Sequence, residues 1–470
     1  MPRHHCGPAP TARAMVPAGI HSLGASGCRQ GRSGGTLGQV TVHRYAGQHR
    51  CTPTPPTERR PRVRLPFRPP VVAGLVAAAL GIAALWAGPA TAGTDPAAGC
   101  TVNSRGRLLS TVSLVRLTGA EVAAELRQVG LPDGTRHDVE TYRLTYCTVS
   151  PSGRPTTASG MLALPQRKHG LLRTVLYEHS SAAARTEAPS YLQQTETRVI
   201  PFFFASDGYA VVAPDYLGLG TSSGRHPYLH AASEVTASLD MLRAAETATT
   251  KGAGRLSHNV FVTGFSQGGQ ATMAVGQALQ SRPGPWRPAA LAPMAGPYSM
   301  AGAMAAAILD PGATNQQHAS FYLADVFTAW KDLYHLYRDP HQVFTAPYAD
   351  LIEGLYDGTR GVPEIDATLP EPQELFRPEA LRLIADPTGR YAAAARDNDV
   401  CRWAPSAPTR LYAAHGDRDV NFAVAAQCHR QLVERGAPAQ LVDMGGVDHV
   451  GTAIASLPQI RAWFAELSAN

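Results

Sequence analysis

Short apolar segments alternate with helical patterns along most of the chain. The first two, at 139–149 (VETYRLTYCTV) and 156–164 (TTASGMLAL), flank the turn sequence Ser150-Pro151-Ser152-Gly153 and predict an antiparallel hairpin. The later strand-like segments lie at 174–177, 209–213, 260–263, 289–292, 409–414 and 440–444. Strands that alternate with helices are typical of a mostly parallel sheet with helices on both faces. The sequence therefore predicts a doubly wound α/β fold with a leading hairpin.

Residues 301 to 395 depart from this alternation, because they hold only helical patterns and many prolines. Phe321, Val326 and Trp330 belong to one such pattern. An all-helical insertion that follows the C-terminal end of a strand would lie over the edge of the sheet where ligands gather. We therefore predict a cap or lid at 301–395, between the core segments 93–300 and 396–470. A helical subdomain with no gating role is the alternative.

The first 92 residues have the features of an export signal. They hold eleven Arg and one acidic residue, which leaves 31 basic and 35 acidic residues in the rest of the 470-residue chain. A basic stretch at 59–64, an apolar stretch at 71–87 and the small residues Ala90-Thr91-Ala92 predict a cleaved secretory signal rather than a membrane anchor. The mature protein is thus expected to be secreted, with no membrane span and no surface for nucleic acid.

Four cysteines remain after such cleavage, namely Cys100, Cys147, Cys401 and Cys428. An even number in an exported chain is typical of disulfides, and their spacing does not suggest zinc. Three connectivities are possible. Closeness in sequence favours Cys100–Cys147 and Cys401–Cys428, and free buried thiols are the alternative.

A serine between two glycines marks the point where one predicted strand becomes a helix. The strand 260–263 leads into Gly264-Phe265-Ser266-Gln267-Gly268, which matches the pattern G-x-S-x-G in its expected context. Such a turn is either merely tight or holds a serine that does chemistry. A serine nucleophile needs a base and a group that orients the base. Two later strands end in His415-Gly416-Asp417-Arg418-Asp419 and in Asp448-His449-Val450-Gly451, and supply both.

These segments resemble the α/β-hydrolase superfamily and, within it, the secreted lipases and esterases of bacteria and fungi. The resemblance covers most of residues 105 to 470. It also rests on 213–220 (APDYLGLG), 226–229 (HPYL) and Gly296-Pro297-Tyr298. It implies Ser266 as the nucleophile, His449 as the base and Asp419 as the acid. Asp417 lies in the same loop, so geometry alone does not choose between the two; the pattern H-G-x-x-D selects Asp419.

The reaction also needs two N–H donors for the negative oxygen that develops on the substrate. Gln267, which follows the nucleophile, is expected to supply one. The other is expected from Ser180, in a loop where relatives commonly carry His-Gly and this chain has His179-Ser180. Asp215, His226 and Glu178 are interpreted as structural.

The sequence thus predicts a secreted serine hydrolase that acts on carboxylic esters, either small molecules or lipids, with no cofactor and no metal. The cap is expected to offer apolar surface to an acyl chain, so that esters with longer acyl chains outcompete amides. A peptidase with the same fold is the first alternative, because the pocket rather than the fold selects the substrate. A binding protein without catalysis is the second.

Overall fold

The computed structural model describes residues 99–132, 134–167, 170–250, 254–300, 312 and 314–469. The predicted secretory signal at 1–92 and the first part of the predicted cap, 301–311, lie outside the described residues.

One sheet of nine strands forms the centre of the described chain, in the order β1-β2-β3-β5-β4-β6-β7-β8-β9. The strands are β1 (Leu108–Leu117), β2 (Val139–Val149), β3 (Pro155–Pro165), β4 (Leu171–Glu178), β5 (Ala210–Pro214), β6 (Arg255–Phe265), β7 (Arg287–Met294), β8 (Thr409–Ala413) and β9 (Ala439–Asp443). The pairs from β1 through β3 to β5 are antiparallel. Every pair from β5 to β9 is parallel. The predicted fold class, a mostly parallel sheet with leading antiparallel strands, is confirmed.

The strand β1 is the part of the sheet that the sequence analysis did not predict. It precedes the predicted hairpin and pairs with β2 at the edge of the sheet. Most of its side chains are exposed or half-buried. Because an edge strand of this kind buries little apolar surface, its sequence lacks the pattern that identified the other strands.

Helices cover the sheet and form the long segment between β7 and β8. They are α1 (Gly119–Gln128), α2 (Thr195–Ser206), α3 (Ala231–Thr250), α4 (Gln267–Ser281), α5 (Gln316–Tyr334), α6 (Tyr348–Leu355), α7 (Val362–Asp366), α8 (Pro372–Leu375), α9 (Pro378–Ala385), α10 (Gly389–Asp397), α11 (Phe422–Val433) and α12 (His449–Leu467). No described helix has the length and apolar character needed to cross a membrane.

The last helix begins earlier than the apolar pattern at 457–467 indicated. Asp448 is its N-cap and accepts a hydrogen bond from the N–H of Gly451 at 2.7 Å. The first turn carries the exposed Val450 and so shows no apolar face. The cap therefore starts the helix at His449, next to the edge of the sheet where the parallel strands end.

Apolar side chains alternate between the two faces of the parallel strands. Leu176 of β4 belongs to one buried cluster, whereas its neighbours Val175 and Tyr177 belong to the other. The first cluster includes residues of α3, α4, α5 and α11, and the second includes residues of α1, α2 and α12. Both faces of the sheet are thus covered, which explains why the parallel strands read as continuous apolar runs.

Two disulfides tie outer segments to this core. Cys100 is bonded to Cys147 of β2, and Cys401 to Cys428 of α11, with Cα atoms 5.5 and 5.3 Å apart. These are the two pairings that closeness in sequence favoured. The first bridge fixes the segment before β1, and the second fixes the segment that leads into β8.

Candidate active site

Ser266 occupies a strained turn between β6 and α4. Its φ of 55° and ψ of −118° lie in a region that residues with a side chain rarely adopt. Its N–H donates to the carbonyl of Met294 at 2.9 Å, so the loop after β7 holds the turn in place. Strain of this kind persists only where the surroundings enforce it, and it clusters at functional sites.

The two glycines of the motif allow backbones to meet at this turn. A Cβ added to Gly264 would lie 2.3 Å from the carbonyl oxygen of Gly268 and 2.6 Å from that of Glu178. One added to Gly268 would lie 1.9 Å from the same Glu178 oxygen. The end of β4 therefore packs directly on the first turn of α4. This contact brings the loop that contains Ser180 next to the serine turn.

His449 lies between the serine and an aspartate. Its Nε2 is 2.9 Å from the Ser266 Oγ, and its Nδ1 is 2.8 Å from the Asp417 Oδ2. A carboxylate oxygen accepts, so Nδ1 carries the hydrogen and Nε2 is left to accept the proton of the serine hydroxyl. The Phe265 ring lies against the imidazole, with centroids 4.6 Å apart. The structure thus brings together the two residues that the sequence selected as nucleophile and base.

The predicted acid, Asp419, is corrected to Asp417 by this geometry. The Asp417 Oδ1 accepts the N–H groups of Asp419 and Val420, each at 2.9 Å, so the loop turns around the Asp417 carboxylate. This turn leaves the Asp417 Oδ2 facing His449 and directs the Asp419 side chain away from it. Asp417 is 3% exposed, which protects its hydrogen bond to the imidazole from water.

Close contact between the loops after β8 and β9 sets this arrangement. The N–H of His415 donates to the carbonyl of Gly445 at 2.8 Å. A Cβ added to Gly416 would lie 2.3 Å from the carbonyl oxygen of Gly446, so only glycine permits the approach. The glycine of the H-G-D segment therefore places Asp417 beside His449, and this close approach is a signal that a fixed H-G-x-x-D pattern overlooks.

Asp419 instead contacts the helical segment. Its Oδ2 lies 2.9 Å from the His318 Nδ1 and accepts from the Tyr322 hydroxyl at 3.1 Å. The His318 Nε2 lies 3.2 Å from the Asp366 Oδ2. Burial raises the pKa of Asp366 to about 6, partly offset by the charge of His318. His318 thus joins the loop that carries Asp417 to two helices of the segment, α5 and α7.

We expect the contact between His318 and Asp419 to depend on pH. The hydrogen bond from Asp419 raises the pKa of His318 despite partial burial, so this stabilisation is lost as the pH rises through that raised pKa. Burial opposes ionisation of Asp419, but the hydrogen bond from His318 and the charge of His449 outweigh it and lower the pKa. The carboxylate side is therefore lost only in strong acid. The contact should be strongest between about pH 4 and pH 6.5.

Amide hydrogen exchange in the first turn of α5, corrected for the intrinsic rate at each pH, would measure this effect. Protection should fall above about pH 6.5 in the parent and show no such step in His318→Gln. An identical pH dependence in the two proteins would show that this contact does not hold the helix.

The two predicted donors for a developing negative oxygen have different surroundings. The N–H of Gln267 begins α4, where the first N–H groups have no partner within the helix, and it makes no hydrogen bond to another described residue. The N–H of Ser180 points to the Glu196 Oε1 at 3.4 Å, and its Oγ donates to the Glu196 Oε2 at 2.8 Å. Gln267 is therefore available as a donor. Ser180 as the second donor stays a prediction, since Glu196 competes for its N–H.

Two cavities lie where the sheet edge meets the helical segment. One of about 650 Å³ includes His449, and the other, of about 370 Å³, includes Ser180; His318 lines both. The described lining of the first is mostly polar and comprises Thr314, Asn315, Gln316, His318, Glu371, Gly416, Arg418, Asp419, Asp448, His449 and Val450. This lining differs from the apolar surface that the sequence analysis expected of the cap.

Comparison with known proteins places these features in a family context. The sequence matches no family model and no curated protein. Solved structures do match. A Legionella pneumophila protein assigned as a hydrolase is 27% identical with a TM-score of 0.71, over 77% of this chain and 98% of that one. The rice cell wall degrading esterase LipA from Xanthomonas oryzae is 28% identical with a TM-score of 0.69, over 78% and 99%.

A more distant match shares the fold alone. Candida antarctica lipase A in its closed state is 16% identical with a TM-score of 0.60, over 77% of this chain and 82% of that one. These neighbours are α/β hydrolases. The chain has the α/β-hydrolase fold and is similar to the lipases and esterases that share it, as the motifs indicated. The similarity supports ester hydrolysis as its general activity.

Proposed function

Since the chain is lipase- and esterase-like in fold, we propose that it is a secreted serine hydrolase that cleaves carboxylic esters through an acyl-enzyme. The observation that carries the proposal is the continuous hydrogen-bonded series from the Ser266 Oγ through His449 to the Asp417 Oδ2. A histidine that accepts from a serine hydroxyl and donates to a carboxylate is the arrangement that activates a serine.

In the first half-reaction the Ser266 Oγ attacks the ester carbonyl carbon while the His449 Nε2 takes its proton. The hydrogen bond from Nδ1 to Asp417 holds the ring in the correct tautomer and stabilises the imidazolium that forms. The N–H of Gln267 donates to the negative oxygen of the tetrahedral intermediate. His449 then passes its proton to the alkoxide, which leaves as the alcohol.

In the second half-reaction a water molecule takes the place of the alcohol. His449 accepts a proton from this water as the water attacks the acyl carbon, and then returns a proton to the Ser266 Oγ. The acid is released and the free serine is restored. The same residues serve both halves, so neither step calls for a cofactor.

The cavity beside His449 suggests the kind of alcohol. His449 protonates the leaving oxygen, so the alcohol part of the ester lies on the His449 side, where the cavity of about 650 Å³ opens. Glu371, Asp419 and Asp448 are acceptors in its described lining, against the single cation Arg418 and the imidazoles. Acceptors of this kind favour hydroxyl donors. We therefore propose esters of hydroxylated alcohols, which agrees with the cell wall degradation by the similar Xanthomonas esterase.

Secretion is supported by the leader and by the two disulfides, which persist in oxidising compartments. The exported protein should begin near residue 93 and have no free thiol among its four cysteines. Intact mass with and without reduction measures both, and an N-terminus upstream of the apolar stretch would contradict the proposal.

A panel of substrates tests the proposed activity. We expect hydrolysis of p-nitrophenyl esters, little hydrolysis of aminoacyl p-nitroanilides, and faster hydrolysis of a glyceryl ester than of the propyl ester of the same acid. The glyceryl and propyl esters match in carbon number, so their ratio isolates the hydroxyl groups. Cleavage of the nitroanilides alone would favour the peptidase, and no cleavage of any substrate would favour the binding protein. Equal rates for the two alkyl esters would reject the polar alcohol alone.

A further inference from the structure

Gln267 has a buried side chain as well as the unpaired N–H that the proposed reaction uses. The side chain is 0% exposed and extends into the core below the serine turn. Burying an amide costs free energy unless its hydrogens have acceptors. The partners of this amide therefore deserve an explanation beyond the packing of α4.

Two buried residues accept the amide hydrogens of Gln267. Its Nε2 lies 2.9 Å from the Glu234 Oε1 and 3.0 Å from the His226 Nε2. The His226 Nδ1 lies 2.9 Å from the carbonyl oxygen of Leu217, which can only accept. His226 therefore carries its hydrogen on Nδ1 and presents a lone pair on Nε2. The amide oxygen of Gln267 in that position would face this lone pair, so the orientation of the amide is determined.

The acceptors come from separate elements and are themselves fixed. Glu234 lies on α3 and His226 in the loop before it. Burial lowers the pKa of His226 to about 4 and so keeps the ring neutral, as an acceptor Nε2 requires. The His226 ring stacks on Tyr216, with centroids 6.0 Å apart. Both acceptors are at least nine-tenths buried, so water does not compete for the amide.

We propose that His226 and Glu234 are positioning residues that hold the Gln267 side chain, and thereby direct the Gln267 N–H to the developing oxyanion. The proposal rests on the proposed function. A glutamine has three rotatable side-chain bonds, and fixing both amide hydrogens fixes them all. The backbone of the first residue of α4 is then anchored from below at Gln267 and from the side by the close packing of Gly268 on Glu178.

The expected effect is confined to the transition state. Removal of an oxyanion donor costs about 10²–10³-fold in rate, and a misdirected donor loses part of that. Glu234→Leu and His226→Phe, which remove an acceptor and fill the space, should each lower kcat about tenfold or more with KM within about twofold. Glu234→Gln, which keeps an amide oxygen in place of the Oε1, should restore most of the rate.

Two inhibitors separate positioning from general damage. A trifluoromethyl ketone forms a hemiketal with a serine and presents an oxyanion, whereas the matching unreactive ether does not. The Ki of the ketone should rise about tenfold in both variants, with the Ki of the ether unchanged. Ser238→Ala is the matched control, because Ser238 is also buried and donates to Glu178 at 3.0 Å rather than to Gln267. It should bind both inhibitors as the parent does.

Unchanged ketone affinity in Glu234→Leu and His226→Phe would overturn the proposal. Equal weakening of the ketone and the ether, or the same loss in Ser238→Ala, would also overturn it, since both indicate a structural role alone. If Glu234→Leu does not fold, His226→Phe carries the same comparison. A phosphonate that reacts with serine nucleophiles separates this outcome from failure of the reaction itself: a parent that is not labelled at Ser266 has no oxyanion to position, and rejects both proposals together.

Discussion

Ser266→Ala should fold and melt as the parent does, and lose about 10⁶-fold in kcat on esters. The Oγ is the atom that forms the acyl-enzyme, and its one hydrogen bond to another described residue is the bond to His449. Alanine adopts the same strained backbone as serine, so the turn itself is preserved. Thermal unfolding and initial rates on a p-nitrophenyl ester measure the two expectations.

The matched control is Ser190→Ala. Ser190 is also buried, and its Oγ donates to the Asp215 Oδ2 at 2.6 Å, away from His449. This variant should lower the free energy of unfolding by about 1–3 kcal/mol with kcat nearly unchanged. If Ser266→Ala instead retained substantial activity, the serine turn would be structural and the proposed reaction would be wrong.

Asp417→Asn should lower kcat about 10⁴-fold, whereas Asp419→Asn should change it by only a few fold. An asparagine amide at 417 can donate to the His449 Nδ1, which moves the ring hydrogen to Nε2 and removes the acceptor for the serine proton. At position 419 an amide oxygen can still accept from His318 and Tyr322. The pair is a sharp comparison, because the two residues lie in one loop and undergo the same substitution.

Steady-state kinetics of both variants, with circular dichroism to verify folding, decides the assignment. A severe loss in Asp419→Asn together with a nearly normal Asp417→Asn would restore the acid that the motif suggested. Severe losses in both would indicate that the contact of Asp419 with His318 holds the loop in which Asp417 lies.

Much of the fold could be predicted because each parallel strand is buried on both faces. Segments such as β5 and β6 are continuously apolar and end in turns, so the alternation with helices is plain in the sequence. The serine turn and the histidine could also be selected, since each directly follows a strand and the parallel order places such positions at one edge. The edge strand β1 buries little, and no comparable signal marks it.

The choice of acid depended on three-dimensional contacts that a linear pattern does not contain. Asp417 faces His449 because Gly416 lets its loop touch Gly446 and because two N–H groups wrap around its carboxylate. The roles of His226 and Glu234 were hidden for the same reason. They lie 41 and 33 residues from Gln267 in sequence, and only the fold brings them to one amide.

The position of a covalent label tests the central claim most directly. The protein is treated with a fluorophosphonate that reacts only with an activated serine, digested, and sequenced by mass spectrometry. The account predicts one adduct, on Ser266, that fails to form in His449→Ala because the base is absent. A label on another serine, or equal labelling of Ser266 in the parent and in His449→Ala, would contradict it.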